Sequence, residues 1–184
     1  MQSKLISLIK KNKKIPIVGK GNYEQIINKF HNLVNNKYKI IEITLRSKYA
    51  LKAAIDIKKN FPELLIGIGS ITSASQLLEV YKYNFDFYIS PGINSKILKI
   101  ANKYKIKYIP AVSTPSEVML GLEYKFNLMK FFPSEFNGGI KKLNTFADIF
   151  ADAIFIPTGG INNSNFKSYL KLPNVIGVGS TNFK

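Results

Sequence analysis

The sequence predicts an α/β fold, a (β/α)8 TIM barrel in a short form that lacks the last helix, on three observations. Eight short apolar runs recur along the chain, at 15–18, 40–44, 64–68, 85–89, 107–111, 128–132, 153–157 and 175–178. Amphipathic segments separate them, as in 23–34, where Ile26, Ile27, Phe30 and Leu33 fall on one face at three- and four-residue spacing. Neither a long linker nor a low-complexity stretch interrupts the series. Apolar strands joined by helices make a parallel sheet. An open doubly wound sheet can be written the same way, but eight successive strands favour closure into a barrel.

The elements follow in order. Residues 1–14 mix Leu5, Ile6, Leu8 and Ile9 with lysines, which predicts an N-terminal helix ahead of a barrel over 15–180, the whole of 1–184 forming one domain. The first strand ends at the turn Gly19-Lys20-Gly21, and the second carries Glu42 inside it and Arg46 just beyond it. The third runs into Gly67-Ile68-Gly69-Ser70 and the fourth into Ser90-Pro91-Gly92. The fifth spans Lys107 to Ala111, and the sixth carries Lys130. The seventh closes on Thr158-Gly159-Gly160 and the eighth on Gly177-Val178-Gly179-Ser180. Little chain follows the eighth strand, so the last helix of an ordinary barrel is missing from the expected fold.

Composition narrows the chemistry. No cysteine and a lone histidine, His31, exclude thiolate chemistry and all but exclude a histidine-based metal site, so no metal is expected. No window is apolar enough to span a membrane, and residues 1–14 carry neither a long apolar region nor a small-residue cleavage site. A soluble, cytoplasmic protein is the expectation. A net charge of +16 invites a nucleic-acid reading, but the lysines are scattered and no binding motif accompanies them, so a solvated surface is preferred.

In a barrel the C-terminal ends of the strands form the active face, and charges within strands stand out there. Glu42 and Lys130 are two such charges. A lysine withdrawn from water is a candidate nucleophile toward a carbonyl, and a carboxylate beside it a candidate acid-base. The same pair also fits a buried ion pair with no catalytic role, and both readings stand at this point. Arg46 is the only arginine in the chain. Its planar guanidinium grips a carboxylate through two parallel hydrogen bonds, which suits either a substrate carboxylate or a structural acid such as Glu42. Glycine turns after the last two strands let backbone N–H groups approach an anion, and a helix starting near Asn163 and Ser164 would add a favourable dipole. Each turn is also explained by tight strand-to-helix geometry alone.

Six blocks, Ile41-Glu42-Ile43-Thr44-Leu45-Arg46, Gly67-Ile68-Gly69-Ser70, Ser90-Pro91-Gly92, Lys130-Phe131-Phe132-Pro133, Asn137-Gly138-Gly139 and Pro157-Thr158-Gly159-Gly160, follow one another across nearly the whole chain. In order and spacing they resemble the 2-dehydro-3-deoxy-6-phosphogluconate and 4-hydroxy-2-oxoglutarate aldolase family. That resemblance implies a cofactor-free, homotrimeric Schiff-base lyase with Lys130 as the imine-forming lysine and Glu42 as general acid-base. It implies Arg46 and Ser70 on the pyruvate carboxylate and keto group, and Thr158, Gly159, Gly160 and Ser180 on a phosphate. Pro91 and Phe132 would line the pocket. The sequence departs from the family in its missing last helix, in Ser70 for the usual threonine, and in Gly19-Lys20-Gly21 where many relatives have an arginine. Cleavage of 2-dehydro-3-deoxy-6-phosphogluconate to pyruvate and glyceraldehyde 3-phosphate is the expected reaction. The galactonate epimer, 4-hydroxy-2-oxoglutarate, and a basic barrel that has lost catalysis and serves binding are the alternatives.

Overall fold

Local chemistry sets each strand-to-helix unit. The computed structural model describes residues 3–184, so Met1 and Gln2 of the expected N-terminal helix lie outside the described residues. After β1 (Lys14–Val18), Asn22 and Gln25 form a reciprocal capping box, with 2.9 Å bonds in both directions, that starts α2 (Tyr23–Asn35). Thr114 and Glu117 do the same for α6 (Pro115–Glu123), whose first residue is a proline that needs no donor. Side-chain caps from Ser73 and Asn94 start α4 (Ala74–Tyr81) and α5 (Ser95–Lys103). The buried stripe Ile26, Phe30 and Leu33 of α2 confirms the spacing read from the sequence.

All strand pairs are parallel. β2 (Ile40–Thr44), β3 (Leu65–Gly69), β4 (Phe87–Ile89) and β5 (Tyr108–Ile109) extend from β1 on one side, and β9 (Val178–Ser180) pairs with it on the other. β6 (Ala111–Val112), β7 (Leu128–Phe131) and β8 (Ile154–Pro157) form a second sheet. The two sheets meet at Pro110, between β5 and β6, and at a bridge between Thr158 and Gly179. The wall is therefore curled and TIM-barrel-like.

Two expected strands are corrected. The run 107–111 is split, because Pro110 has no N–H to give the ladder; its carbonyl still accepts from Lys130 N at 2.9 Å. The last run is shifted: Val175 makes only an isolated bridge to Phe155, and continuous pairing to β1 begins at Val178, opposite Lys14. Residues 181–184, after β9, are not helical. Phe183 is buried edge-to-face against Phe166, and the Lys14 ammonium lies 4.1 Å from the Phe166 ring centre.

α1 (Ser3–Asn12) closes the end where the strands begin. Its Leu5 and Ile9 join Ile15, Ile40, Phe87, Leu128, Ile156 and Ile176 in one buried cluster. Gly177 makes room for it, since a methyl there would sit 2.7 Å from Ile9 Cγ2. The helices α3 (Ala50–Asn60) and α7 (Gly139–Ile149), with α2, α4, α5 and α6, bury their apolar stripes on the outer face of the wall. With one end sealed by hydrocarbon, polar chemistry is left to the other.

Candidate active site

Strand periodicity brings the two charges together. Successive side chains alternate across a strand, so Ile40, Glu42 and Thr44 of β2 share the inward face, as do Leu128 and Lys130 of β7 with Phe132 beyond it. Lys130 Nζ donates to both Glu42 oxygens at 3.2 Å, with the two side chains 7% and 2% exposed. Space for the carboxylate comes from Gly69, where a methyl would fall 2.0 Å from Glu42 Oε1. The Phe132 ring lies 5.3 Å from the Lys130 ammonium. The buried ion pair foreseen as the plain reading is present, and it faces a cavity rather than a closed core.

That cavity, about 150 Å³, opens at the strand C-terminal ends and is lined by Arg46, Lys130, Phe132, Thr158, Gly159, Gly160 and Ser180. Arg46 is exposed, and its Nε donates to Ser70 Oγ at 3.1 Å. Among the described residues the two ion pairs are Lys130–Glu42 and Lys58–Asp86, so Glu42 is not the partner of Arg46 and the guanidinium has no acid. Ser70 holds φ at +66°, a left-handed conformation uncommon outside glycine, which aims its hydroxyl at Arg46.

The glycine turn is built for close approach. Gly159 and Gly160 have φ of +94° and +81°, and methyls there would meet Pro133 and Glu135. Among the described residues their N–H groups donate to no protein acceptor. Ser180 Oγ donates to the Ile161 carbonyl and accepts from Asn182 N at 3.0 Å. The helix expected near Asn163 and Ser164 is corrected to an Asn162-centred turn, whose side chain accepts from Ser164 N and Asn165 N. α8 (Phe166–Tyr169) is a single turn, and it adds little dipole. Pro91 also lies elsewhere, in a separate depression with Ile71 and Thr72.

The sequence reading missed the support behind this turn. Ser134 N donates to the Thr158 carbonyl at 2.8 Å, and Glu135 N to the Gly159 carbonyl at 3.1 Å. Tyr169 OH donates to the Glu135 carboxylate and accepts from Ser134 Oγ at 3.1 Å. Burial, then the bond to Glu135, pushes the Tyr169 phenol up to about 12. Only the Ser-Glu pair after Lys130-Phe131-Phe132-Pro133 could have hinted at it; Tyr169 lies too far along the chain.

Among the described residues no three His, Cys, Asp or Glu side chains cluster as metal ligands, and no helix is long and apolar enough to cross a membrane. The arrangement can form an imine, move a proton beside it, and hold a carboxylate and a second anion.

Comparison with known proteins matches this geometry. The sequence profile described as "Aldolase: KDPG and KHG aldolase" matches residues 5–184. A KHG/KDPG aldolase of Escherichia coli K12 is 38% identical over 167 residues, covering 91% of this chain and 78% of the relative. A 2-dehydro-3-deoxy-phosphogluconate aldolase of Dickeya dadantii is also 38% identical over the same shares. A KDPG aldolase from Legionella pneumophila, solved with pyruvate captured as a covalent carbinolamine, superposes with a TM-score of 0.92 at 34% identity, covering 98% of this chain and 88% of that one. The Zymomonas mobilis enzyme solved with 3-phosphoglycerate gives 0.90 at 30%, covering 98% and 86%.

Proposed function

The chain belongs to the KDPG and KHG aldolase family, and from that membership we propose that it cleaves 2-dehydro-3-deoxy-6-phosphogluconate to pyruvate and glyceraldehyde 3-phosphate, with Lys130 as nucleophile. Glu42, 3.2 Å from Nζ, takes the ammonium's proton, and the free amine attacks the C2 keto carbon. Glu42 gives that proton to the carbinolamine hydroxyl, and loss of water leaves a protonated imine beside a free carboxylate. Glu42 then accepts the C4 hydroxyl proton as the C3–C4 bond breaks; its electron pair flows into the imine, the aldehyde leaves, and an enamine remains. Glu42 returns the proton to C3, and water added at C2 releases pyruvate and the amine.

Arg46 with Ser70 takes the pyruvate carboxylate, bidentate on a planar guanidinium that has no acid of its own. Gly159, Gly160, Thr158 and Ser180 take the phosphate, and Phe132 packs beside the imine. Pro91 stays a proposed lining residue for the bound state only. No step of this route calls on a metal or cofactor. The Legionella neighbour's carbinolamine with pyruvate supports the imine route.

The observation that carries the reading is the Lys130–Glu42 pair at the floor of the cavity lined by Arg46. Pyruvate followed by borohydride should leave a reduced adduct on Lys130, located by peptide mass spectrometry. Folded protein with no adduct, or with one elsewhere, would overturn the assignment. The same membership supports a homotrimer at work in the cytoplasm. Light scattering that gave the mass of a single chain would remove the trimer.

A further inference from the structure

The proposed phosphate cradle is neutral. Gly159 and Gly160 offer backbone N–H groups, and the Ser180 hydroxyl already donates to Ile161. A phosphate monoester brings roughly two negative charges at neutral pH. Charge-assisted bonds are about twice as strong as neutral ones, so a cation beside the cradle decides how well the phosphate is held. Lys130 is engaged with Glu42, and Arg46 serves the carboxylate.

A second cavity, about 220 Å³, adjoins the first and shares Ile17, Thr44, Arg46 and Thr181 with it. Its lining adds Lys20 and Lys29 and contains no acid. Lys29 reaches from α2 to the strand end that bears Ser180: its Nζ donates to the Thr181 carbonyl at 3.1 Å. No carboxylate pairs with it among the described residues, and partial loss of solvent lowers its amine below the ordinary lysine value. An ammonium has three donors, so the bond to Thr181 leaves two free. Lys20 makes no comparable contact among the described residues.

We propose that Lys29 is the cation that neutralises the substrate's phosphate, and that it sets the preference for phosphorylated over unphosphorylated 2-keto acids. The proposal rests on the reading that the Gly159–Gly160 turn and Ser180 bind phosphate. It makes α2, an outer helix, part of the binding machinery.

The test compares the parent, Lys29→Met, Lys29→Arg and Lys20→Met on 2-dehydro-3-deoxy-6-phosphogluconate and on 4-hydroxy-2-oxoglutarate. Lys29 is an exposed residue, so the fold tolerates the change. In Lys29→Met the ratio of kcat/KM between the two substrates should fall about 10- to 100-fold through KM. Inhibition by inorganic phosphate should weaken with it. Lys29→Arg should recover most of the ratio, and Lys20→Met, which removes one charge from the same cavity, should leave the ratio as in the parent. A ratio kept in Lys29→Met, or lost equally in Lys20→Met, overturns the proposal. A parent with no preference for the phosphorylated substrate overturns the phosphate reading itself, and that outcome is seen before any variant is made.

Discussion

The two ends of the curled sheet's inner face are made by the same strands two residues apart, and they do opposite things. Where the strands begin, Ile15, Ile40, Leu128 and Ile156 meet Leu5 and Ile9 of α1 in one buried cluster. Two residues on, the same strands present Ile17, Glu42, Lys130 and Thr158. The first end gains from removing hydrocarbon from water, about 25 cal/mol for each Å². The second withdraws an ion pair from water, a cost that mutual attraction offsets poorly, and leaves glycine N–H groups without acceptors. Stability is thus concentrated at one end and chemistry at the other, and a substitution should register in a different measurement according to the end it touches.

Lys130→Ala should separate them most. Loss of the proposed nucleophile should cut turnover per folded molecule at least about 1,000-fold and abolish the borohydride adduct. Activity within tenfold of the parent would break the comparison at its centre. At the opposite end Ile9→Ala, at a side chain with no exposure, should lower stability by about 2–5 kcal/mol in urea denaturation. Its kcat and KM, measured where the protein is fully folded, should match the parent's; a loss of activity there would mean the ends are coupled. Gly69→Ala sharpens the boundary, since its methyl collides with Glu42 Oε1 and must displace the carboxylate. It should lower kcat about 10- to 100-fold while pyruvate still traps on Lys130. An unaltered kcat would show that the carboxylate's position is not what Gly69 protects.

The apolar end was the more legible in the sequence, because runs such as Ile40-Ile41 and Leu128-Met129 announce buried strands by composition. Glu42 and Lys130 were legible as interruptions of those runs, and parallel strand alternation makes them meet. Boundaries were less so. Lys37, Lys105 and Lys125 adopt φ of +65°, +52° and +64° after helices where glycine would have marked the stop. Strand five broke at Pro110, and Val175-Ile176 read as a strand while pairing waits for Val178. The partners of the glycine turn were hidden for another reason: Ser134, Glu135 and Tyr169 join through side chains 34 and 35 residues apart, a relation no local pattern encodes. Lys29 escaped notice because in a chain with 27 basic residues one more lysine on a helix carries no signal until its ammonium is seen on Thr181.

Tyr169→Phe should give the smallest effect and the one most specific to the polar end. The ring stays in the core and only the hydroxyl between Ser134 and Glu135 is lost, which should cost about 1–2 kcal/mol at neutral pH. An unfolded tyrosine titrates near about 10, whereas the folded Tyr169 phenol is held up to about 12 by burial and by Glu135. A folded value above the unfolded one gives stability that is complete below pH about 10 and is lost as pH rises toward about 12. Tyr88 and Tyr108, also raised by burial, add an alkaline loss in the same direction to parent and variant alike. Urea midpoints followed from pH 8 to 12 should therefore fall more steeply in the parent than in Tyr169→Phe, the two curves converging at high pH. Parallel curves would show that Tyr169 contributes no such linkage. A converging pair with a few-fold higher KM for the phosphorylated substrate would tie the hydroxyl to the turn it backs, because Glu135, freed from Tyr169, is the residue whose N–H holds the Gly159 carbonyl.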